Sequence, residues 1–262
     1  MVKTLITFPS HHKGVFSRSY LGKINKKKAF IKIYEQNMLK MLSMDIGEKH
    51  QLVYKIASNL KIIPELLYID ENLIIQEYII NNKLKKKEFF KDKNIKVFKK
   101  VIGNFNNIDV TKLPKLPKLY EQIINYKKIL KKNDFFNTIL SNKKYLSKYI
   151  DKYTQKYLCH GDLHLNNIIM KKNKIFLIDL DYICISSRGY DIAMLAHLEK
   201  LSKKKIKEIS YLLEIDINEI NHYKPLCMLL DYLWQEAQLK LKIIKKNKIN
   251  KEIIKNFLKR IS

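Results

Sequence analysis

The run His160-Gly161-Asp162-Leu163-His164-Leu165-Asn166-Asn167 leads into Ile168-Ile169-Met170, a polar turn at 171–174, and Ile175-Phe176-Leu177-Ile178-Asp179. Two short apolar runs around a polar turn predict a β-hairpin. Pairing Met170 with Ile175 sets the antiparallel register, Ile169 opposite Phe176 and Ile168 opposite Leu177, and leaves Asn167 and Asp179 side by side at the open end. An amide oxygen and a carboxylate converging there are the hard donors that hold Mg2+, which keeps its other positions for water and phosphate oxygens. Asp162, on the loop entering the hairpin, is placed to take the proton of an attacking hydroxyl.

Each residue alone has a plainer reading. Asp162 can be a cap or turn residue, Asn167 the start of a strand, and Asp179 an ordinary strand-end aspartate. The combination of D-x-x-x-x-N, apolar hairpin and Asp is much harder to produce by chance. Cys159, His160 and His164 also offer a zinc reading, but no fourth ligand stands at a typical spacing.

Outward from this stretch, 262 residues at 46% hydrophobic content are enough for a real core and exclude a disordered or fibrous chain. No apolar run approaches the membrane-spanning length of about 18 residues, and 1–10 carry no cleavable leader pattern, so a cytoplasmic location and no membrane span are expected. Three widely spaced cysteines, Cys159, Cys184 and Cys227, suit reduced thiols. The formal charge of +27 raises the question of nucleic acid, yet Arg18, Arg188 and Arg260 are the only arginines among 52 basic residues. Lysine triplets at 26–28, 85–87 and 203–205, spread among Asn and Ile, read as compositional drift, and no nucleic-acid partner is expected.

The texture changes near residue 80. Before it, 29–34, 65–69 and 73–79 read as strands, with a helical pattern over 38–60 (Ile46, Leu52, Val53, Ile56, Leu60) stopped by Pro64. After it the pattern is helical, broken at Pro114 and Pro117, with the hairpin as the exception. This predicts an α+β fold with a sheet-rich part over 1–80 and a helix-rich part over 81–262.

The residues quoted so far resemble the catalytic and metal loops of the protein-kinase-like superfamily. The likeness is specifically to the aminoglycoside phosphotransferase and choline kinase group, with its H-G-D-x-x-x-x-N and I-D signatures at 160–167 and 178–179. Tyr190-Asp191-Ile192-Ala193 resembles that group's Y-D-L-A segment, in which the aspartate supports the catalytic loop beside His160; an N-cap of a helix from Ile192 is the plainer reading, and the two are compatible. The resemblance implies a two-lobe fold and the cofactors ATP and Mg2+, with Asp162 catalytic and Asn167 and Asp179 on metal. Upstream it implies a nucleotide lobe. Alternation in 29–34 puts Lys32 opposite Ala29, Ile31 and Ile33, able to meet phosphates, although a snorkelling edge lysine is the plainer reading. Glu48 is the implied ion-pair partner of Lys32, with Glu35 and Asp45 as competitors. Gln76 to Ile79, Glu77 and Ile79 among them, resembles the hinge that receives adenine. The phosphate loop matches poorly, with only Gly14 and Gly22 flanking 13–21.

Departures from protein kinases narrow the acceptor. Gly161 stands where many of them carry an arginine, and residues 180–190 leave no room for a long activation segment and peptide platform. A small molecule bearing a hydroxyl, such as an amino sugar or amino alcohol, is therefore the expected substrate, its pocket drawn from 223–240 with Asp231, Trp234, Gln235 and Glu236 as candidates. Trp234 as core and the carboxylates as solvated is the competing reading. A protein or cell-envelope glycolipid kinase, and a catalytically silent binding protein of the same fold, are the alternatives.

Overall fold

The computed structural model describes residues 5–41, 47–80, 85–154 and 156–262, with the side chains of 5–13, 41, 48 and 49 outside that description. It resolves into two compact units, one formed by 1–115 with 165–181 and the other by 116–164 with 182–262.

The first unit opens with β1 (Leu5–Lys13), β2 (Ser17–Ile24), β3 (Lys27–Tyr34), α1 (Gln36–Met41), α2 (Glu48–Asn59), β4 (Leu66–Ile69) and β5 (Leu73–Glu77). The five strands form one antiparallel sheet in the order β1-β2-β3-β5-β4. The β2–β3 turn is Asn25-Lys26, both at positive φ (48° and 68°), which gives the twist that suits a two-residue hairpin. Ile24, Ala29, Ile31 and Ile75 are buried together, with Tyr20, Leu67 and Leu73 packed against them. β3 therefore gives the apolar core one face, leaving Lys32 and Tyr34 for the other.

The two helices α1 and α2 replace the one expected over 38–60; Asp45 and Ile46 lie outside the described residues. Val53, Tyr54 and Ala57 form the buried stripe of α2, at helical spacing. Two further helices, α3 (Lys86–Phe89) and α4 (Asp92–Asn106), belong to this unit. α4 buries Ile95, Phe98, Ile102 and Phe105 along one stripe, and Phe98 meets Phe89 edge-on at 5.2 Å.

The second unit starts after the break that carries Pro114. It holds α5 (Leu119–Asn125), α6 (Lys127–Leu130), α7 (Asp134–Ser141), α8 (Lys143–Ile150) and β6 (Tyr157–Cys159). The chain then returns to the first unit for the hairpin of β7 (Ile168–Lys171) and β8 (Lys174–Leu177), where the backbone N–H of Leu177 donates to the Ile62 carbonyl at 2.9 Å. Back in the second unit come β9 (Cys184–Ser186), which pairs with β6, and α9 (Arg188–Leu198), α10 (Lys203–Leu213), α11 (Ile217–Lys240) and α12 (Lys251–Ile261). α9 packs against α11, burying Gly189 to Ala196 from one and Tyr223, Leu226, Cys227 and Leu230 from the other. Cys159, Cys184 and Cys227 are free thiols, pushed up in pKa by burial. Among the described residues no helix is long and apolar enough to cross a membrane. The architecture is the expected α+β one, a small N-terminal antiparallel sheet with a larger helical region.

Candidate active site

The hairpin register is the one expected: Met170 with Ile175, Ile169 with Phe176, Ile168 with Leu177. Past the last pair, the backbone N–H of Ile178 donates to the Asn167 carbonyl at 3.0 Å, so Asn167 and Asp179 stand at the same open end. Asp179 is left-handed, at φ 64°, a conformation that costs a non-glycine residue about 1–3 kcal/mol and clusters at working sites. The Asp179 side chain is 44% exposed.

In the same unit, Lys32 is buried and its ammonium is shared by two carboxylates, Asp179 Oδ1 at 2.5 Å and Asp181 Oδ2 at 2.5 Å. Asp181 is sealed, and its other oxygen accepts from the Tyr34 hydroxyl at 2.7 Å. Below it, His50 Nε2 lies 3.3 Å from the Asp181 carbonyl, and the Leu180 N–H donates to the Tyr54 hydroxyl at 3.0 Å. The Lys32 ammonium also lies 5.0 Å from the Tyr34 ring centre and 5.9 Å from that of Phe16. Burial works against the charge on Lys32, but Asp179 and Asp181 together outweigh it and hold the ammonium well above its ordinary value. Burial and the charge of Asp179 push the Asp181 carboxyl up to about 7, with Lys32 and Tyr34 pulling the other way. Two carboxylates sharing one buried cation explain both directions.

Lys32 is thus no snorkelling edge residue. Its ion-pair partners in the structure are Asp179 and Asp181; Glu48 opens α2, but its side chain, which carries the expected pairing, lies outside the described residues. Glu35 pairs instead with Arg18 at 2.9 Å. The stretch read as a phosphate loop is mostly strand, closed by a tight turn in which the Gly14 N–H donates to the Ser17 carbonyl at 2.8 Å. At the hinge-like segment, β5 ends at Glu77, whose carboxylate lies 3.5 Å from the Lys171 ammonium, and Ile79 is buried.

The second unit holds the other cluster. Asp191 is fully buried and accepts from two backbone N–H groups, His160 at 2.9 Å and Gly161 at 3.0 Å. It lies inside the first turn of α9, which starts at Arg188 with Ser187 as its N-cap residue, so the N-cap reading for a helix from Ile192 is replaced. The His160 ring, also buried, accepts at Nδ1 from the Asp162 N–H at 3.3 Å. Gly161 sits at φ 81°, where an added Cβ would lie 2.0 Å from the Tyr182 carbonyl oxygen. No arginine fits there, which gives the departure from protein kinases a steric cause.

These contacts present the Asp162 carboxylate 33% exposed, 3.6 Å from His164 Nε2. The buried Tyr126 hydroxyl feels both Asp162 and Asp231: after burial, their charges push its pKa up. Asp231 accepts from Gln235 at 2.9 Å and pairs with His197 Nε2 at 2.9 Å. Burial raises its pKa, but those two hydrogen bonds outweigh it and leave the carboxyl below its ordinary value. Tyr182 meets Trp234 edge-on at 6.3 Å, and Glu236 is bonded to Asn247 and Asn133.

Sequence reasoning missed Asp181, Tyr34, Tyr54 and His197. The signal for the first two was present: Asp181 repeats Asp179 at a spacing of two, and Tyr34 shares the strand face of Lys32. Tyr54 and His197 reach their partners through tertiary folding alone. Among the described residues no cluster of three metal-ligating His, Cys, Asp or Glu side chains occurs. Mg2+ asks less of a protein, one or two hard oxygens beside phosphates, and the amide of Asn167 with the half-exposed carboxylate of Asp179 fits that requirement.

Over residues 10–261 the chain matches the family described as choline/ethanolamine kinase. Among solved structures it is similar to an ethanolamine kinase from Plasmodium vivax (18% identity, TM-score 0.68, covering 99% of this chain and 82% of that one). It is similar also to the choline kinase LicA from Streptococcus pneumoniae (16%, TM-score 0.69, 100% and 92%). A spectinomycin phosphotransferase solved with ADP and spectinomycin is a third (16%, TM-score 0.55, 98% and 89%). A search of curated protein sequences gives no match. At these identities the structural likenesses show the fold, that of the protein-kinase-like phosphotransferases. The family match spans nearly the whole chain, and the chain therefore belongs to the choline/ethanolamine kinase family, a family of small-molecule kinases.

Proposed function

We propose that this protein transfers the γ-phosphoryl group of Mg-ATP to the hydroxyl of a small amino alcohol of the choline or ethanolamine type. The observation that carries the acceptor class is the anionic Asp231, held by His197 and Gln235. A cationic head at Asp231, on the helix that also carries Trp234, would leave the substrate hydroxyl for Asp162.

In this reading residues 1–80 form the nucleotide lobe and 81–262 the catalytic and substrate lobe. The segment around Glu77 and Ile79 receives the adenine, Lys32 meets the α- and β-phosphates, and Asn167 and Asp179 hold Mg2+. When bound, the metal neutralises charge developing on the transferred group. Asp162 orients the acceptor and takes its proton as the new O–P bond forms and the β–γ bridging P–O bond breaks, releasing ADP. His160 and Asp191 fix the loop that carries Asp162. No covalent phosphoenzyme is required, and the work is placed in the cytoplasm, where ATP is available.

The test is a thermal-shift titration with ATP, with and without Mg2+, followed by choline, ethanolamine and an amino sugar added to the nucleotide-bound protein. A ligand at about 100 times its Kd raises stability by roughly 2.7 kcal/mol. A Mg2+-dependent shift, with a further rise for an amino alcohol alone, supports the reading. No nucleotide shift under any condition leaves a silent binding protein, and a further rise for the amino sugar alone moves the acceptor class.

A further inference from the structure

Lys32 is shared by two carboxylates whose surroundings differ sharply. The Asp179 side chain is 44% exposed on a left-handed residue, whereas that of Asp181 is 1% exposed. Asp181 is also bound on both oxygens, to Lys32 through Oδ2 and to the Tyr34 hydroxyl through Oδ1, while its carbonyl faces His50 Nε2. Tyr34 follows Lys32 by two residues on the same face of β3, so one strand supplies both groups that grip this carboxylate. Removing Asp181 from its partners would leave a buried carboxylate uncompensated, a strongly unfavourable step. Asp179 can turn to a metal at far lower cost, since solvent already reaches it.

From this asymmetry we infer that Asp181 is the fixed counter-ion of Lys32, a positioning residue that keeps the ammonium in place for nucleotide phosphates when Asp179 leaves it for Mg2+. The inference rests on the proposed nucleotide role of Lys32. It divides the labour of an aspartate pair two residues apart: the exposed member serves the metal and the sealed member serves the lysine. Ion-pair support for Lys32 then comes from beyond the hairpin rather than from α2 alone.

The experiment measures ADP affinity by calorimetry, in EDTA and in Mg2+, for the full-length wild type, Asp179→Asn, Asp181→Asn, Lys32→Met and the Asp181→Asn/Lys32→Met double variant. Asp181→Asn is expected to lose about tenfold or more in EDTA, matching Lys32→Met, with the double variant no worse than either single one. Asp179→Asn is expected to stay within about threefold of wild type in EDTA and to lose the gain conferred by Mg2+. Wild-type affinity in EDTA for a folded Asp181→Asn overturns the inference, as does a loss confined to Mg2+, which would make Asp181 a metal ligand. Additive losses in the double variant overturn it too, because they make the effect of Asp181 independent of Lys32. If Asp181→Asn does not fold, Tyr34→Phe loosens the same carboxylate: a few-fold loss in EDTA supports the inference and unchanged affinity refutes it. Failure of the nucleotide reading itself shows differently, as wild-type protein that binds no ADP, or Lys32→Met that binds it normally.

Discussion

The Lys32 cluster and the Asp162 loop hold their charges by opposite means. In the first unit the ammonium of Lys32 and the carboxylate of Asp181 are sealed, and each is satisfied by a side chain 149 residues away in the chain. In the second, Asp162 is left 33% exposed, and a buried carboxylate, Asp191, grips the backbone of its loop. In the first, charged side chains are buried against each other; in the second, a carboxylate is left reachable and the backbone beneath it is locked instead.

The contrast can be broken or sharpened at four positions. The largest effect is expected at Asp162: Asp162→Asn should cut phosphoryl transfer by about 10²–10⁴ and leave the melting temperature unchanged, as steady-state rates and calorimetry would show. A large loss of stability there would make Asp162 a structural residue like Asp191. Next comes Asp191→Ala, which orphans two buried N–H groups and should cost about 2–5 kcal/mol in urea unfolding. If the protein keeps its stability, the loop is not held from α9.

Gly161→Ala follows, with about 1–3 kcal/mol from the positive φ and a further cost from the Tyr182 carbonyl. Its melting temperature should fall while Lys32-side nucleotide binding stays intact, separating the two regions. The smallest effect is at Asp231. Its folded pKa is depressed, so its contribution to stability is present above the unfolded value near 3.9 and is lost as pH falls through the lower folded value. Asp231→Asn should therefore flatten the acid limb of melting temperature against pH below about 4, and raise the acceptor KM by about tenfold. An unchanged KM would remove Asp231 from acceptor binding.

How much was legible follows the same division. The hairpin could be read to the residue because alternation and a polar turn fix its register, and with it the meeting of Asn167 and Asp179. β1 and β2 could not: their pairing carries register shifts at Thr7/Ser10 and Ser10/His12, and such irregularities disguise period two. Gly161 was noticed as a missing arginine, but the reason for glycine, a carbonyl from residue 182, is visible only in three dimensions. Asp181 was passed over although it repeats Asp179 at a spacing of two, since only the fold shows Lys32 and Tyr34 closing on it. α9 was expected from Ile192 and begins at Arg188, since the N–H of Gly189 finds Glu219 Oε1 at 2.6 Å and lets the helix start earlier.

The central claim, phosphoryl transfer from ATP to an amino alcohol, is met most directly by ³¹P NMR of the protein incubated with Mg-ATP and either choline or ethanolamine, beside Asp162→Asn. The account predicts a new phosphomonoester resonance that grows in step with ADP in the wild type and is almost absent in the variant. ADP appearing only with inorganic phosphate, or a phosphomonoester formed equally well by Asp162→Asn, would contradict it.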